Sequence, residues 1–255
     1  MSKHIVTYNI NAWMPVNTSM SYRMKISQVA AYIKRTYINA SIINLQEVLP
    51  GKEGKHLKQI RDAFQEEGYE MIQPIFDVNV HWKSVLTITL IRKDILNSYT
   101  VEELSGDYLK NRITYTVADT SYGNLRILNC HVPQIANFRN KAAWYIKERI
   151  DIHNKMWDAI ISEAEKYKDE KFIICGDMQE GVSGPHVSLL KALGYHEITK
   201  GMPTIYNNAF RSECIDHIFF SESAKEVFQP GEVLVDTMQV GVLSDHALLS
   251  TEISA

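Results

Sequence analysis

The chain alternates short, densely apolar runs with segments whose apolar residues recur at spacings of three and four. Eight runs read as strands: "HIVTYNI", "ASIINLQEV", "SVLTITLIR", "RITYTVAD", "NLRILNCHV", "KFIICGDM", "CIDHIFFS" and "HALLSTEI". Several are too continuously apolar for a sheet that is wet on one side, so both of their faces are expected to be covered. Between them, Tyr22, Ile26, Val29, Ala30, Ile33 and Tyr37 fall on one helical stripe, and Leu57, Ile60 and Phe64 fall on another that Gly68 stops. A third helix is expected from about Asn140 to Tyr167, with Ile146, Ile150, Trp157, Ile160 and Ala164 near its inner face. A shorter one starts at Pro185, a good first-turn residue, and ends at Gly194. The segment "DTSYGNL" reads as a hairpin turn, which a purely parallel sheet would not contain. Strands and helices therefore mix in an α+β manner, with sheet layers covered by helices. No repeat, low-complexity tract or Pro/Gly-rich linker marks a boundary, and residues 1–255 are expected to form one domain.

Composition narrows the classes. At 255 residues and 45% hydrophobic content the chain can bury a large core. A formal net charge of -3 excludes a global basic field drawing it to nucleic acid or anionic lipid, so any polyanion must be held locally. Cys130, Cys175 and Cys214 are odd in number, widely spaced and without a CxxC, which argues against a disulfide framework or a zinc knuckle; they read as small buried thiols. The N-terminus enters a strand pattern at once, and no run reaches the roughly 18 apolar residues of a membrane span. The expected location is cytoplasmic, and the oligomeric state is left open.

Polar residues gather at the ends of the apolar runs. "HIVTYNIN" ends in Asn9 and Asn11, "IINLQEV" carries Glu47, "RILNCHVPQ" ends in His131 and Gln134, and "FIICGDMQ" ends in Asp177 and Gln179. "IDHIFF" opens with Asp216 and His217, and "LSDH" brings Asp245 and His246. Each alone has a plain structural reading: a cap, a loop tip, a turn between strands. Strand ends also converge on one sheet edge, where rigid elements hold side chains in place. Carboxylates, side-chain amides and histidines without a nucleophilic Ser or Cys suit an oxygen-ligated Mg²⁺ or Mn²⁺ and a phosphate ester.

The ordered set "TYNIN", "NLQEV", "NCHVPQ", "ICGDMQ", "IDHIFFS" and "LSDHALL" resembles the endonuclease/exonuclease/phosphatase superfamily, in particular its deoxyribonucleases and abasic-site endonucleases, from Tyr8 to Leu249. The resemblance implies a four-layer αββα sandwich, two packed mixed sheets flanked by helices. It implies Mg²⁺ (or Mn²⁺) as cofactor, with Glu47 as the foremost metal ligand and Asn9 and Asp245 beside the metal. It implies that Asp177 polarises the attacking water, that Asp216 holds His246, and that His246 contacts the scissile phosphate. A negative partner would fix the tautomer of that imidazole and raise its pKa. Whether the histidine or the aspartate is the base stays open.

Three positions depart from the family pattern. Gln179 stands where asparagine is usual, Asn11 where several nucleases have aspartate, and "NVHWKSVLTI" where a Gly-rich strand entry is common. The lost charge at residue 11 favours a one-metal over a two-metal site. In "HVPQ", Gln134 is similar to a residue that touches a DNA phosphate, and His131 to one that donates to a leaving or nonbridging oxygen. Arg139, Lys141, Trp144 and Lys147 form a basic and aromatic mix suited to a nucleic-acid strand, and Trp82, beside His81 and Lys83, is a candidate for base stacking. The expected activity is that of a metal-dependent phosphodiesterase acting on DNA more than RNA, as an endo/exonuclease or DNA-repair nuclease. A phosphatase or phosphodiesterase for a small or lipid-borne phosphoester is the first alternative, favoured by the near-neutral charge; a catalytically retired binding module is the second.

Overall fold

All eight apolar runs form strands and all four helical patterns form helices in the computed structural model, which describes residues 3–12, 20–77, 83–106, 108–135, 141–206 and 212–254. In chain order the elements are β1 (Lys3–Asn9), α1 (Tyr22–Thr36), β2 (Ala40–Val48), α2 (Lys55–Gln65), β3 (Tyr69–Ile72), β4 (Leu86–Arg92), β5 (Leu96–Glu102), β6 (Ile113–Thr120), β7 (Gly123–His131), α3 (Ala143–Lys166), β8 (Phe172–Asp177), α4 (Pro185–Ala192), β9 (His196–Glu197), β10 (Ile205–Tyr206), β11 (Ser212–Glu213), β12 (Asp216–Phe220), α5 (Glu222–Phe228), β13 (Val233–Asp236) and β14 (Leu248–Ile253). One six-stranded sheet runs β13-β14-β1-β2-β4-β3 and the other β5-β6-β7-β8-β12-β9, while β10 and β11 form a separate ribbon. Each large sheet is mixed, with one parallel pair, β1 with β2 or β7 with β8, inside antiparallel neighbours. The expected hairpin is present: Thr120 pairs with Gly123 across a two-residue turn, where Gly123 has φ 85°.

Three apolar cores make four layers. Ile26, Val29 and Ile33 of α1 and Leu57, Ile60 and Phe64 of α2 pack on Val6, Ile43, Leu45 and Leu90 of the first sheet. Trp157, Ile160 and Ala164 of α3 and Val187 and Leu190 of α4 pack on Tyr115, Leu128 and Ile174 of the second. Between the sheets, Ile5, Ile42 and Ile91 meet Leu125, Ile127, Ile173 and Ile218, and Phe228 of α5 joins this core. The fold is thus a four-layer αββα sandwich, α+β in class. Buried amides cross the inter-sheet core: Gln46 Nε2 donates to Asn129 Oδ1 (2.7 Å) and Thr7 Oγ1 (2.9 Å), and Asn129 Nδ2 donates to Ile88 O (2.8 Å). These bonds tie β2 to β7 one residue before Glu47 and two before His131.

One expectation is corrected. Ile150 is 40% exposed rather than on the inner face of α3, whose buried stretch starts only at His153. Periodicity fixes a residue's angle about the helix axis but not how far along that axis the sheet beneath extends. The three cysteines are free and buried, and among the described residues no helix is long and apolar enough to cross a membrane.

Candidate active site

Strand register carries the polar run ends to one edge of the sandwich. His131 ends β7 opposite Asp177, which ends β8, and Asp216 opens antiparallel β12 opposite the same Asp177. Asn9 pairs with Gln46, so Glu47 follows at the same level in the other sheet. The close approach of β7 and β8 depends on Gly176, with φ 126°, where a Cβ would lie 2.0 Å from Cys130 O. Asn11, Glu47 and Gln179 hold φ of 42°, 55° and 53°, a left-handed conformation unusual for non-glycine residues. Three of the six non-glycine residues with positive φ among the described residues thus lie at this edge, and backbone cost of this kind recurs at functional sites.

Asp177 is the hub. Its buried Oδ2 accepts from Asn9 Nδ2 (2.8 Å) and Gln179 Nε2 (2.8 Å), and its Oδ1 accepts from the Gln179 backbone N–H (3.2 Å) and Nε2 (2.9 Å). The longer glutamine side chain therefore folds back onto the carboxylate it follows. His131 Nε2 and His246 Nε2 lie 3.7 and 3.9 Å from Asp177 Oδ2. Burial, then the charge of Asp216, pushes the Asp177 carboxyl well above the usual carboxylate range, against the pull of His246.

His246 is anchored by Nδ1 on Asp216 Oδ2 at 2.8 Å. Burial alone would favour the neutral ring, but Asp216, Asp177 and Asp245 outweigh it and raise the pKa to about 10. The imidazole is therefore cationic at neutral pH. The backbone around it is clamped. Thr204 Oγ1 accepts from the Asp216 N–H (3.0 Å), the Tyr206 N–H donates to Asp245 O (2.8 Å), and Ser244 Oγ donates to Asn9 O (2.7 Å). The "SDH" segment does bend between Leu243 and β14, and that bend delivers both side chains.

Glu47 and His131 stand on the other side of Asp177, with His131 Nε2 3.3 Å and Asn9 Nδ2 3.5 Å from Glu47 Oε1. Glu47 Oε2 is buried and, among the described residues, has no hydrogen-bond partner. Burial raises the Glu47 pKa, opposed by His246 and Arg112. Arg112, which the sequence reading did not single out, places Nη1 3.3 Å from Nδ1 and 3.1 Å from Nε2 of His131, within hydrogen-bond reach of both ring nitrogens. Burial and then this guanidinium hold His131 well below the usual imidazole pKa and hence neutral. Lys25 is the other missed residue: it is buried on α1, donates from Nζ to Asn11 O, and burial lowers its pKa to about 8 against the pull of Glu47 and Asp245.

Ligand atoms of Glu47, His131 and Asp177 all lie within 4.8 Å of one another. An open, buried carboxylate oxygen in that group fits a small divalent cation, which satisfies acceptors no donor reaches. Asp177, Asp216 and His246 form a second such group, already filled by the Asp216–His246 hydrogen bond. Asn9 uses Nδ2 on the two acids and Oδ1 to accept from the Asn11 N–H (2.9 Å), so it orients the carboxylates. Asp245 lies outside both groups; its Oδ1 accepts from Asn11 Nδ2 at 2.6 Å. Gln134 and Lys141 are exposed and Trp144 is 70% exposed, whereas Arg139, Trp82 and His81 lie outside the described residues. A cavity of about 410 Å³ is lined by Arg23, Lys55, His56, Lys58, Gln59 and Asp62. It is coupled to the loop after Glu47, because the His56 N–H donates to Pro50 O (3.0 Å) and the Leu49 N–H to the hydroxyl of Tyr22 (2.9 Å), whose ring packs on His56.

A four-layer αββα sandwich with acids, amides and imidazoles gathered at one edge of its paired sheets has the architecture of the endonuclease/exonuclease/phosphatase fold. No protein-family model matches the sequence, and no curated protein matches it. Solved structures do match over nearly the whole chain. An endonuclease/exonuclease/phosphatase family protein from Bacteroides thetaiotaomicron aligns with a TM-score of 0.69 at 16% identity, covering 99% of this chain and 97% of that one. An AP endonuclease from Archaeoglobus fulgidus aligns with a TM-score of 0.71 at 15% identity, covering 99% of each chain. The 3′ phosphatase NExo from Neisseria, bound to a product DNA hairpin, aligns with a TM-score of 0.69 at 16% identity, again over 99% of each. At these identities the likeness establishes the shared fold.

Proposed function

We propose that the chain is a divalent-metal-dependent phosphoester hydrolase acting on DNA, as an endo/exonuclease or repair nuclease. One observation carries the reading: an Asp216-bound, cationic His246 and the open oxygen of Glu47 flank the same buried carboxylate, Asp177. Glu47, with His131 and Asp177, would hold Mg²⁺ or Mn²⁺, which when bound supplies Lewis acidity toward a phosphoryl oxygen. Asp177 orients a water and takes its proton. The water oxygen bonds to phosphorus as the P–O bond to the leaving oxygen breaks. His246 Nε2–H and the Arg112 guanidinium then stabilise the negative charge that builds on the phosphoryl oxygens. Neutral His131 has one N–H to direct at an oxygen of the ester.

DNA is favoured by the exposed Lys141 and Trp144 at the start of α3, by the cationic lining of the Arg23–Lys55–Lys58 cavity, and by the product DNA held by the Neisseria enzyme. The net charge of -3 favours the second reading, a small or lipid-borne phosphoester. The test is incubation with Mg²⁺ or Mn²⁺ and, in parallel, supercoiled plasmid, an abasic-site oligonucleotide, a 3′-phosphorylated DNA hairpin and a chromogenic bis-phosphodiester, each against His246→Ala. DNA cleavage or dephosphorylation lost in the variant supports the proposal. Turnover of only the small ester moves the assignment to the second reading, and silence on all four leaves a binding module.

A further inference from the structure

Glu47 and Asp245 both stand at the cleft, and two acids so placed would ordinarily invite two divalent ions. Their surroundings differ. Glu47 Oε2 is buried without a partner among the described residues. Asp245 is 20% exposed, accepts from Asn11 Nδ2 at 2.6 Å and has His246 Nε2 at 4.0 Å. Next to Asn11 is Lys25, 3% exposed, whose ammonium donates to the Asn11 carbonyl. Asn11, held at φ 42°, thus presents its carbonyl to a cation and its amide to an anion. A buried ammonium needs nearby negative charge, and Glu47 and Asp245 are the acids that act on it.

We infer that Lys25 is a built-in cation that takes the place of a second divalent ion at Asp245, so that the chain loads one ion only, at Glu47. The inference rests on the metal-dependent reading above. Glu47, Asp177, Asp216 and Asp245 face the cations of His246 and Arg112, two fewer in number, and a fixed Lys25 ammonium offsets one of the two remaining charges before any ion arrives. A first dication at Glu47 then leaves no uncompensated carboxylate to draw in another. Lys25 also holds Asn11, whose amide keeps Asp245 turned toward residue 11 rather than into the ligand group of Glu47. The fixed charge costs nothing to recruit at each turnover, and it makes loading independent of a second, weaker ion.

The experiment is Mn²⁺ titration of the full chain without substrate, counting bound ions from the loss of the free-ion EPR signal. The wild type is expected to take up one Mn²⁺ per chain and Glu47→Gln to lose it. Lys25→Gln, which removes the charge and retains an N–H donor on a side chain one atom shorter, is expected to take up a second, weaker ion. Lys25→Met serves as an independent variant, and adding Asp245→Asn to either should return the count to one. Two ions on the wild type, or one ion on both Lys25 variants with their folds intact by circular dichroism, overturns the inference and leaves the hydrolase reading standing. No ion on the wild type overturns both.

Discussion

His246 Nδ1 lies 2.8 Å from Asp216 Oδ2, while Nε2 of the same ring lies 3.9 Å from Asp177 Oδ2. One imidazole thus spans two buried acids, and its anchored nitrogen decides which face meets the cleft. With the pKa raised to about 10, the alkaline fall of kcat/KM that reports His246 is expected near that pH rather than near the free value of about 6.5. Asp216→Asn should move that limb down by more than one pH unit and lower kcat/KM, read from a pH–rate profile. The sign for stability is the same. A cation with a raised folded pKa contributes fully below its unfolded pKa of about 6.5, and the contribution is lost as pH rises through about 10. Urea midpoints of the wild type should therefore fall across that window, and those of Asp216→Asn should stay flatter.

Gly176 is the hinge of the geometry. Its φ of 126° and the 2.0 Å separation of a Cβ from Cys130 O leave no room for a side chain between β7 and β8. Gly176→Ala combines backbone strain with overpacking, each about 1–3 kcal/mol, so a loss of roughly 3 kcal/mol or more is expected. Equilibrium urea unfolding measures it. A stable Gly176→Ala variant that keeps full activity would show that the close pairing of His131 with Asp177 is dispensable.

The limits of sequence reading follow the same geometry. The central strands, buried on both faces, stand out as apolar runs, whereas the four sheet edges, β3, β5, β9 and β13, carry no such run. β5 shows why: Asn97–Thr100 are exposed, and "LNSYTVE" alternates weakly because an edge strand needs little apolar surface. The site was legible where functional residues end a parallel strand, open "IDHIFF" or interrupt the apolar run at "LSDH". Arg112 escaped because it precedes β6, which runs antiparallel to β7, so the start of one lies at the edge where the other ends: Ile113 pairs with Cys130, next to His131. Lys25 escaped because a lysine on a helical stripe reads as solvated, and only the fold shows it buried beside Asn11.

Glu47→Gln keeps the shape and removes the charge of the residue with the open buried oxygen. Saturating Mg²⁺ at about 100 times its Kd would raise wild-type stability by about 2.7 kcal/mol. A Tm shift of that origin is expected for the wild type and absent in Glu47→Gln, measured by thermal melts with and without Mg²⁺. An unchanged shift in the variant would move the ion elsewhere.

Arg112 Nη1 lies 3.1 and 3.3 Å from the two nitrogens of neutral His131, and its charge feels Glu47 and Asp177. Arg112→Met is expected to lower kcat by about 10²–10³-fold, the loss typical of removing one donor aimed at developing charge. Arg112→Lys should recover little of it, because an ammonium is a compact, more strongly hydrated charge with fewer donors than the fixed fork of a guanidinium. The same variants also free His131 from a repelling charge, so its pKa should rise from its depressed value. Steady-state kinetics paired with histidine NMR titration tests both effects at once.

Trp144 separates the two substrate classes. It is 70% exposed on the first turn of α3, packs edge-on against Tyr145 at a centroid distance of 5.9 Å, and belongs to no core. Removing it should leave stability within about 0.5 kcal/mol of wild type, as for a surface substitution. If the ring stacks on a base, Trp144→Ala should weaken single-stranded DNA binding by about 1–3 kcal/mol while leaving hydrolysis of a small chromogenic ester untouched. Fluorescence anisotropy with a labelled oligonucleotide, run beside the ester assay, reads the two effects separately. Equal losses in both would make Trp144 a support of the folded site rather than a DNA contact, and no loss in either would remove it from the DNA surface.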